Sequence, residues 1–337
     1  RRSGGLNRTL LGLKDAADRL RLAALGSPAG DAAAVGQFNC NAPNKSREQR
    51  MKGIATINFK GGVGKTTVTW LLAKYAAEKG KKVLVVDTDA QMSLTLAVQL
   101  QESGAMYGEF ENWYENQHRR NNKTILNALD KYDRMEGGHF DFPIDASFIY
   151  RMSENLHFIP SVVDLYWLEL EVFDREKVKH FIRALLGKIE HSRGFNYDYV
   201  FFDCPPNFTA LSYSVLSCSS LILIPVNPDV FASRGIGLMI DGLRYRIQPW
   251  PNPTIAVFMN KAKLYRGNLT RETERYWTES KVVCDNKRRD GVLVETWDSF
   301  IPEKVDIKRA IPGRYFPREF EEYFAGLWRN IERVLSQ

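Results

Sequence analysis

The 337-residue sequence is poor in cysteine, in long apolar runs and in clustered histidine, and each shortage removes a class of protein. Its four cysteines, Cys40, Cys204, Cys218 and Cys284, stand far apart with no C-x-x-C pair, which argues against a disulfide framework and against a thiolate-held metal cluster. His118, His139 and His157 lack ligand spacing and read as satisfied or surface side chains. No stretch approaches the roughly 18 uninterrupted apolar residues of a membrane span. No charged-then-apolar leader ends in a small-residue cleavage site, so a cytosolic location is the expectation.

What remains is enough apolar material, 44% of residues, for one large α/β domain or two small ones. The net charge of +7 is uneven: residues 234–318 hold 17 Lys/Arg against 10 Asp/Glu, and the first 52 hold 10 against 4. Such concentrations mark either a polyanion-binding face or solvated helix surfaces, and charge alone does not separate the two.

Residues 1–50 differ from the rest. A possible amphipathic helix from Leu6 to Leu25 precedes a Gly/Ala/Ser/Pro/Asn-rich stretch from Gly26 to Ser46, and Met51 stands immediately before the first apolar run. This segment is read as an extension or linker, and 51–337 as the folded domain. From Met51 onward, apolar runs recur at Ile54–Ile57, Val83–Val86, Tyr199–Phe202, Leu221–Ile224 and Ile255–Phe258. Runs without alternation suit strands buried on both faces. Helix-length segments lie between them, among them Thr66–Glu78, Leu165–Lys188, Thr209–Ser217 and Gly235–Arg246. The order predicts a doubly wound, mostly parallel α/β sheet with helices on both faces, a three-layer α/β/α arrangement. Residues 102–150 read as an insertion, and Trp167, Trp250 and Trp277 as packing anchors.

Ligands in such sheets bind beyond the carboxyl ends of the strands, where the informative residues fall. The first run leads into Lys60-Gly61-Gly62-Val63-Gly64-Lys65-Thr66-Thr67, a glycine-rich turn opening a helix. Glycines let backbone N–H groups close around phosphate oxygens, Lys65 supplies a charge near the β- and γ-phosphates, and the Thr66 hydroxyl can ligate Mg²⁺. The pattern departs from G-x-x-x-x-G-K-[ST], because Phe59 takes its first position and a second lysine, Lys60, opens the loop. Asp87 and Asp89 close the second run, and Asp203 closes a later one in Asp203-Cys204-Pro205-Pro206. Three carboxylates at one sheet edge fit holding Mg²⁺ and orienting an attacking water better than three independent caps.

These residues, with Asp87 to Gln91 and Pro225-Val226-Asn227-Pro228, resemble the ParA/MinD family of deviant Walker-A ATPases, most closely its ParA branch, over residues 52–336, and the segment from Phe300-Ile301-Pro302-Glu303 to Ala310 resembles that family's late helix. Ala90 stands where that family usually has Pro. The resemblance implies ATP and Mg²⁺ as ligands, Lys60 as the lysine that reaches the phosphates of a partner in an ATP-dependent homodimer, Asp89 on the attacking water, Asp87 and Thr66 on Mg²⁺, Asp203 in the Walker B role, and Asn260 and Pro228 flanking adenine. It further implies non-specific DNA binding, nucleoid association, and a ParB-like or other adaptor that stimulates hydrolysis in plasmid or chromosome partition or cargo positioning. Lys261, Lys263, Arg266, Arg271, Arg275, Lys287, Arg288, Arg289, Lys308, Arg309, Arg314 and Arg318 are the candidate phosphate contacts.

Two alternatives share the fold. A MinD-like membrane-cycling role would use the stripe Phe320, Phe324, Leu327, Trp328, Ile331, Val334 and Leu335. That stripe reads as core packing, and the acidic balance from Glu319 onward does not suit anionic lipid. The basic N-terminal helix is a weaker membrane candidate. A metabolic enzyme of this fold is the other alternative; its cluster-bearing members need cysteines that this pattern lacks.

Overall fold

The computed structural model describes residues 51–102, 111–121, 123–134, 140–169, 175–304, 307 and 316–337. The N-terminal extension, His139, Lys308, Arg309 and Arg314 lie outside them, as does the side chain of Trp167. Strands β1 (Lys52–Thr56), β2 (Val83–Asp87), β3 (Tyr150–Arg151), β4 (Leu156–Ile159), β5 (Tyr199–Asp203), β6 (Leu221–Val226), β7 (Thr254–Ala262) and β10 (Val294–Pro302) form one sheet. A separate hairpin pairs β8 (Leu264–Tyr265) with β9 (Asn268–Leu269). The helices are α1 (Lys65–Glu78), α2 (Ser93–Glu102), α3 (Ile125–Asp133), α4 (Arg175–His191), α5 (Ala210–Cys218), α6 (Val230–Arg246), α7 (Arg271–Arg289) and α8 (Glu321–Leu335).

Sheet order is β10-β7-β6-β1-β5-β2-β4-β3, with every pairing parallel except β3 on β4. The five apolar runs are its five central strands, and alternation within them divides the core in two. Leu84, Val86, Val200, Phe202, Ile222 and Ile224 face one cluster, with α3 to α7. Val83, Val85, Phe201, Leu221 and Leu223 face the other, with α1, α2 and α8. Burial on both faces explains why these runs are almost wholly apolar. The C-terminal stripe belongs to this second layer: Phe324, Leu327 and Ile331 are fully buried, and Trp328 meets Tyr199 edge to face with ring centroids 5.2 Å apart.

The expected helix over 165–188 is instead a 3₁₀ segment at Val163–Glu169 followed by α4, and Phe300 to Pro302, expected to open a late helix, closes β10 instead. Helix α6 begins five residues before the expected Gly235, because Asp229 caps it by accepting from the Phe231 and Ala232 amides at 3.0 Å. The segment read as an insertion contributes to the core: Ile125, Ala128, Leu129, Phe142, Phe148 and Ile149 are buried. His118 contacts Thr124 Oγ1 at 3.0 Å through Nδ1 and helps fasten the start of α3. Among the described residues, no helix is long and apolar enough to cross a membrane.

Candidate functional site

Strand β1 is flanked by β5 on one side and β6 on the other, so the turn after Thr56 opens over the middle of the sheet. Asn58 shapes the exit. Its Nδ2 donates to the Pro225 carbonyl at 2.9 Å, and its Oδ1 accepts from the Lys60 amide at 2.9 Å, tying the loop to the end of β6. Gly62 and Gly64 have φ of 73° and 87°, left-handed conformations that a β-carbon would strain. A Cβ on Gly64 would also stand 2.4 Å from Asn260 Nδ2. That approach is close because Asn260 donates to the Val63 carbonyl at 2.6 Å. Its neighbour Lys261 donates through Nζ to the Gly62 carbonyl. Two consecutive β7 side chains thus hold the carbonyl side of the loop and leave its amides facing the other way.

Helix α1 starts at Lys65 with no side-chain cap at Gly64 and no acid in its first turn, so the amides of that turn face the opening uncapped. Thr66 and Thr67 sit in this turn. The Lys65 side chain is 8% exposed. Burial lowers its pKa, against the opposing pull of Asp203, Asp89 and Cys204. Lys60 is more open. It pairs with the Asp229 carboxylate at the head of α6 and stands 5.7 Å from the Phe231 ring centroid. Burial of Asp229 is outweighed by Lys60 and by the cap amides, which hold its carboxyl below the usual range. Pro228 is half-buried immediately ahead of that cap.

Opposite the loop, Asp87 and Asp203 end neighbouring strands and are paired in register. Asp87 is fully buried, and its carboxylate is engaged: it accepts from Thr95 N at 2.9 Å, from Thr95 Oγ1 at 2.6 Å and from Asp89 N at 3.0 Å. Asp89 accepts from Gln91 N at 2.9 Å, and Ser161 Oγ donates to its carbonyl at 2.7 Å. Asp203 is the exception. It is 1% exposed, yet among the described residues neither carboxylate oxygen completes a hydrogen bond. Burial, then the charge of Asp87, raises its pKa well above the carboxylate range, although the Thr66 hydroxyl acts in the other direction. Burial likewise pushes Asp87 up to about 7 and raises Asp89. The Cys204 thiol is raised by burial and is inert at this edge. A buried carboxylate pair with one member unpartnered, facing uncapped amides and a lysine, is a site prepared for a cation and an anion together.

The structure therefore gathers Lys60 to Thr67, Asp87, Asp89, Asp203 and Asn260 at one sheet edge, with Pro228 on the adjoining β6–α6 loop. Sequence reasoning missed Asn58, Thr95, Ser161 and Asp229, and it read Lys261 as a candidate DNA-phosphate contact rather than as a support of the loop. Asp229 alone had a local signal, as an N-cap residue ahead of an apolar helix; the others become visible only once distant strands are adjacent.

The fold and loop define a P-loop nucleotide-binding domain of the three-layer α/β/α type. A family model described as an AAA domain matches residues 51–256, more than half of the chain, and the chain belongs to that family, within its ParA/Soj-like ATPases. An uncharacterized Mycobacterium tuberculosis protein is 31% identical over 202 residues, 59% of this chain and 54% of the relative, so the chain spans about half of that relative's length. The chromosome-partitioning ATPase Soj of Treponema pallidum is 26% identical over 207 residues, 61% of this chain and 68% of its own. The solved structure of pNOB8 ParA bound to nonspecific DNA superposes with a TM-score of 0.56 at 20% identity, covering 85% of this chain and 99% of that one; at that identity the likeness is one of fold.

Proposed function

We propose that the chain binds ATP with Mg²⁺ and hydrolyses it as a nucleotide-dependent homodimer. That dimer contacts DNA without sequence preference and positions a cargo, in plasmid or chromosome partition or in the placement of a protein assembly. The observation that carries this reading is a phosphate loop with one exposed and one buried lysine, Lys60 and Lys65, facing the unpartnered Asp203 carboxylate. That orphaned carboxylate is also the test of fit for the metal: a buried acceptor without a donor is what a cation would satisfy. Thr66 and Asp203 would hold the ion. Asp87, whose oxygens are taken by Thr95 and by the Asp89 amide, would act through water. When bound, the ion would neutralise charge on the β- and γ-phosphates. The loop amides and Lys65 would orient the phosphates, and Asp89 the attacking water. Asn260 and Pro228 remain the proposed neighbours of adenine.

For Lys60 to reach a partner's phosphates, its pair with Asp229 must open. At 41% and 35% side-chain exposure that pair contributes no more than about 1 kcal/mol, so a triphosphate can displace it. Phe59, Phe231 and Leu238 around it are 39%, 72% and 76% exposed. With Val63 and Met239 they line a depression of about 220 Å³. An apolar rim beside the phosphate loop supports a face that a second copy covers. A nonspecific-DNA-bound ParA and a Soj relative support the DNA and partition parts, and an adaptor that stimulates hydrolysis follows from the same resemblance.

The test is ATP turnover with and without duplex DNA and Mg²⁺. Lys65→Ala is expected to lose nucleotide binding. Asp89→Ala is expected to retain ATP and remain dimeric, and Lys60→Ala to bind ATP with turnover lost. Wild-type turnover from Lys60→Ala counts against the partner-reaching lysine, and no Mg²⁺-dependent affinity for adenine nucleotides in the wild type removes the whole reading.

A further inference from the structure

Four cations of the basic C-terminal third, all on helix α7, are already paired with carboxylates within the fold. Arg275 meets Glu279 at 3.2 Å, Lys281 meets Asp298 at 2.5 Å, Lys287 meets Asp241 at 2.6 Å and Arg288 meets Asp285 at 2.7 Å. Helix α7 therefore presents a largely neutralised surface, and its charge count overstates what it offers to a polyanion. The β8–β9 hairpin differs. Residues 261–271 carry four cations and no carboxylate. Of these, Lys263, Arg266 and Arg271 are exposed and have no carboxylate partner among the described residues.

The hairpin tip is held in an unusual shape. Arg266 and Gly267 form its two-residue turn with φ of 50° and 83°, and a bulky residue rarely occupies the first of these positions, where Asn or Gly is favoured. The outcome is an arginine whose guanidinium lies 5.3 Å from the Tyr265 ring centroid, over a ring that is itself 66% exposed. An exposed aromatic that orients an unpaired guanidinium is a ready phosphate contact. At the base, Thr270 N donates to the Lys263 carbonyl at 3.0 Å. One residue before Lys263 the chain leaves β7, whose Asn260 and Lys261 hold the Val63 and Gly62 carbonyls of the phosphate loop. The tip and the loop are thus joined through the end of one strand.

We infer that the β8–β9 hairpin, through Lys263, Arg266 and the Tyr265 platform, is the element that seats on the phosphate backbone of duplex DNA, and that its tie to the Gly62 and Val63 carbonyls makes that contact follow the nucleotide in the loop. This rests on the DNA-binding part of the reading above and names its site. The contact is assigned to the sugar-phosphate backbone, which carries no base information, because its donors are exposed cations suited to phosphate oxygens.

The test is fluorescence anisotropy of the full chain with duplexes of two unrelated sequences, in ATP with Mg²⁺ and in ADP, across a salt series. The double variant Lys263→Ala/Arg266→Ala is compared with Lys281→Ala/Lys287→Ala, which removes the same charge from paired positions. The hairpin variant should bind both duplexes about tenfold more weakly at moderate salt, with a log–log salt slope shallower by roughly 2 and a smaller ATP-to-ADP ratio, while the α7 variant stays near wild type. Nucleotide affinity measured on the same samples distinguishes a lost contact from a lost fold, and a hairpin variant that no longer binds nucleotide is replaced by Arg266→Gln. If wild type binds DNA and the two double variants weaken it equally, or neither does, the hairpin assignment is overturned and the DNA reading stands. If wild type binds no DNA in any nucleotide state, both are overturned.

Discussion

Replacing Asp203 with Asn separates the stability of the empty site from its hold on a magnesium nucleotide. Asp203 is 1% exposed, neither of its oxygens has a hydrogen-bond partner among the described residues, and it stands in register beside Asp87, which is fully buried. Each buried acceptor left without a donor costs about 1–3 kcal/mol, and a second carboxyl alongside adds to that cost. Asparagine keeps the shape, removes the charge and offers an N–H toward Asp87. The expected gain in unfolding free energy without ligand is about 1–2 kcal/mol. With ligand the order reverses: nucleotide at a hundredfold excess over its Kd stabilises a binding-competent chain by about 2.7 kcal/mol, and a variant lacking a metal ligand collects little of it. Urea unfolding followed by tryptophan fluorescence near neutral pH, with and without ATP and Mg²⁺, reads both quantities. The reasoning fails if Asp203→Asn is less stable than wild type when no ligand is present, since the carboxylate would then be contributing to the empty fold rather than burdening it.

Three other perturbations follow from single positions. Gly64→Ala meets both a φ of 87° and an Asn260 nitrogen 2.4 Å from the added carbon, so it should cost about 1–3 kcal/mol in thermal unfolding and weaken nucleotide binding; unchanged behaviour in both would mean that the loop is not braced from β7. Lys74 is 2% exposed, and burial, opposed by Glu78, lowers its pKa from 10.5 to about 8. Below pH 8 the folded chain carries a buried charge, whereas above it the unfolded chain binds the extra proton until about 10.5, so this lysine's contribution rises with pH by up to about 3 kcal/mol. Lys74→Met should therefore be the more stable protein at neutral pH, with its advantage shrinking as pH climbs through that window; a constant difference sinks the assignment. Phe324→Ala, at a fully buried position with the Phe316 ring centroid 5.3 Å away, should cost about 3–5 kcal/mol by chemical denaturation, and a loss under 1 kcal/mol would show that α8 does not anchor the second layer.

The five central strands were legible because burial on both faces leaves an unbroken apolar run. Strand β10 was not: Val294-Glu295-Thr296-Trp297-Asp298-Ser299 mixes polar residues into it, as an edge strand with β7 as its one neighbour and a register shift after Trp297 permits. Strand β4 was lost because Leu156-His157-Phe158-Ile159 is short and carries a histidine, whose Nδ1 contacts the Tyr197 hydroxyl at 2.6 Å. The segment 102–150 read as an insertion from its Tyr, Asn and charged residues, and its buried Phe140, Phe142 and Phe148 follow neither a helical nor a sustained strand period.

At the site the division follows the backbone. A loop that turns its amides toward a ligand must turn its carbonyls away, and buried carbonyls need donors. Glycines advertise the amide side in a local pattern, but the donors come from wherever the sheet brings them: Asn260 and Lys261 reach the Val63 and Gly62 carbonyls from far along the chain, on β7. The ends of strands that neighbour a glycine loop in the sheet are therefore where its supports lie, and a polar pair such as Asn260-Lys261 closing an apolar run carries that information once strand order is known. Such donors also set how the site can respond. A loop held on its carbonyl side cannot tighten on a phosphate without pulling β7, and the exposed hairpin follows directly from the end of that strand.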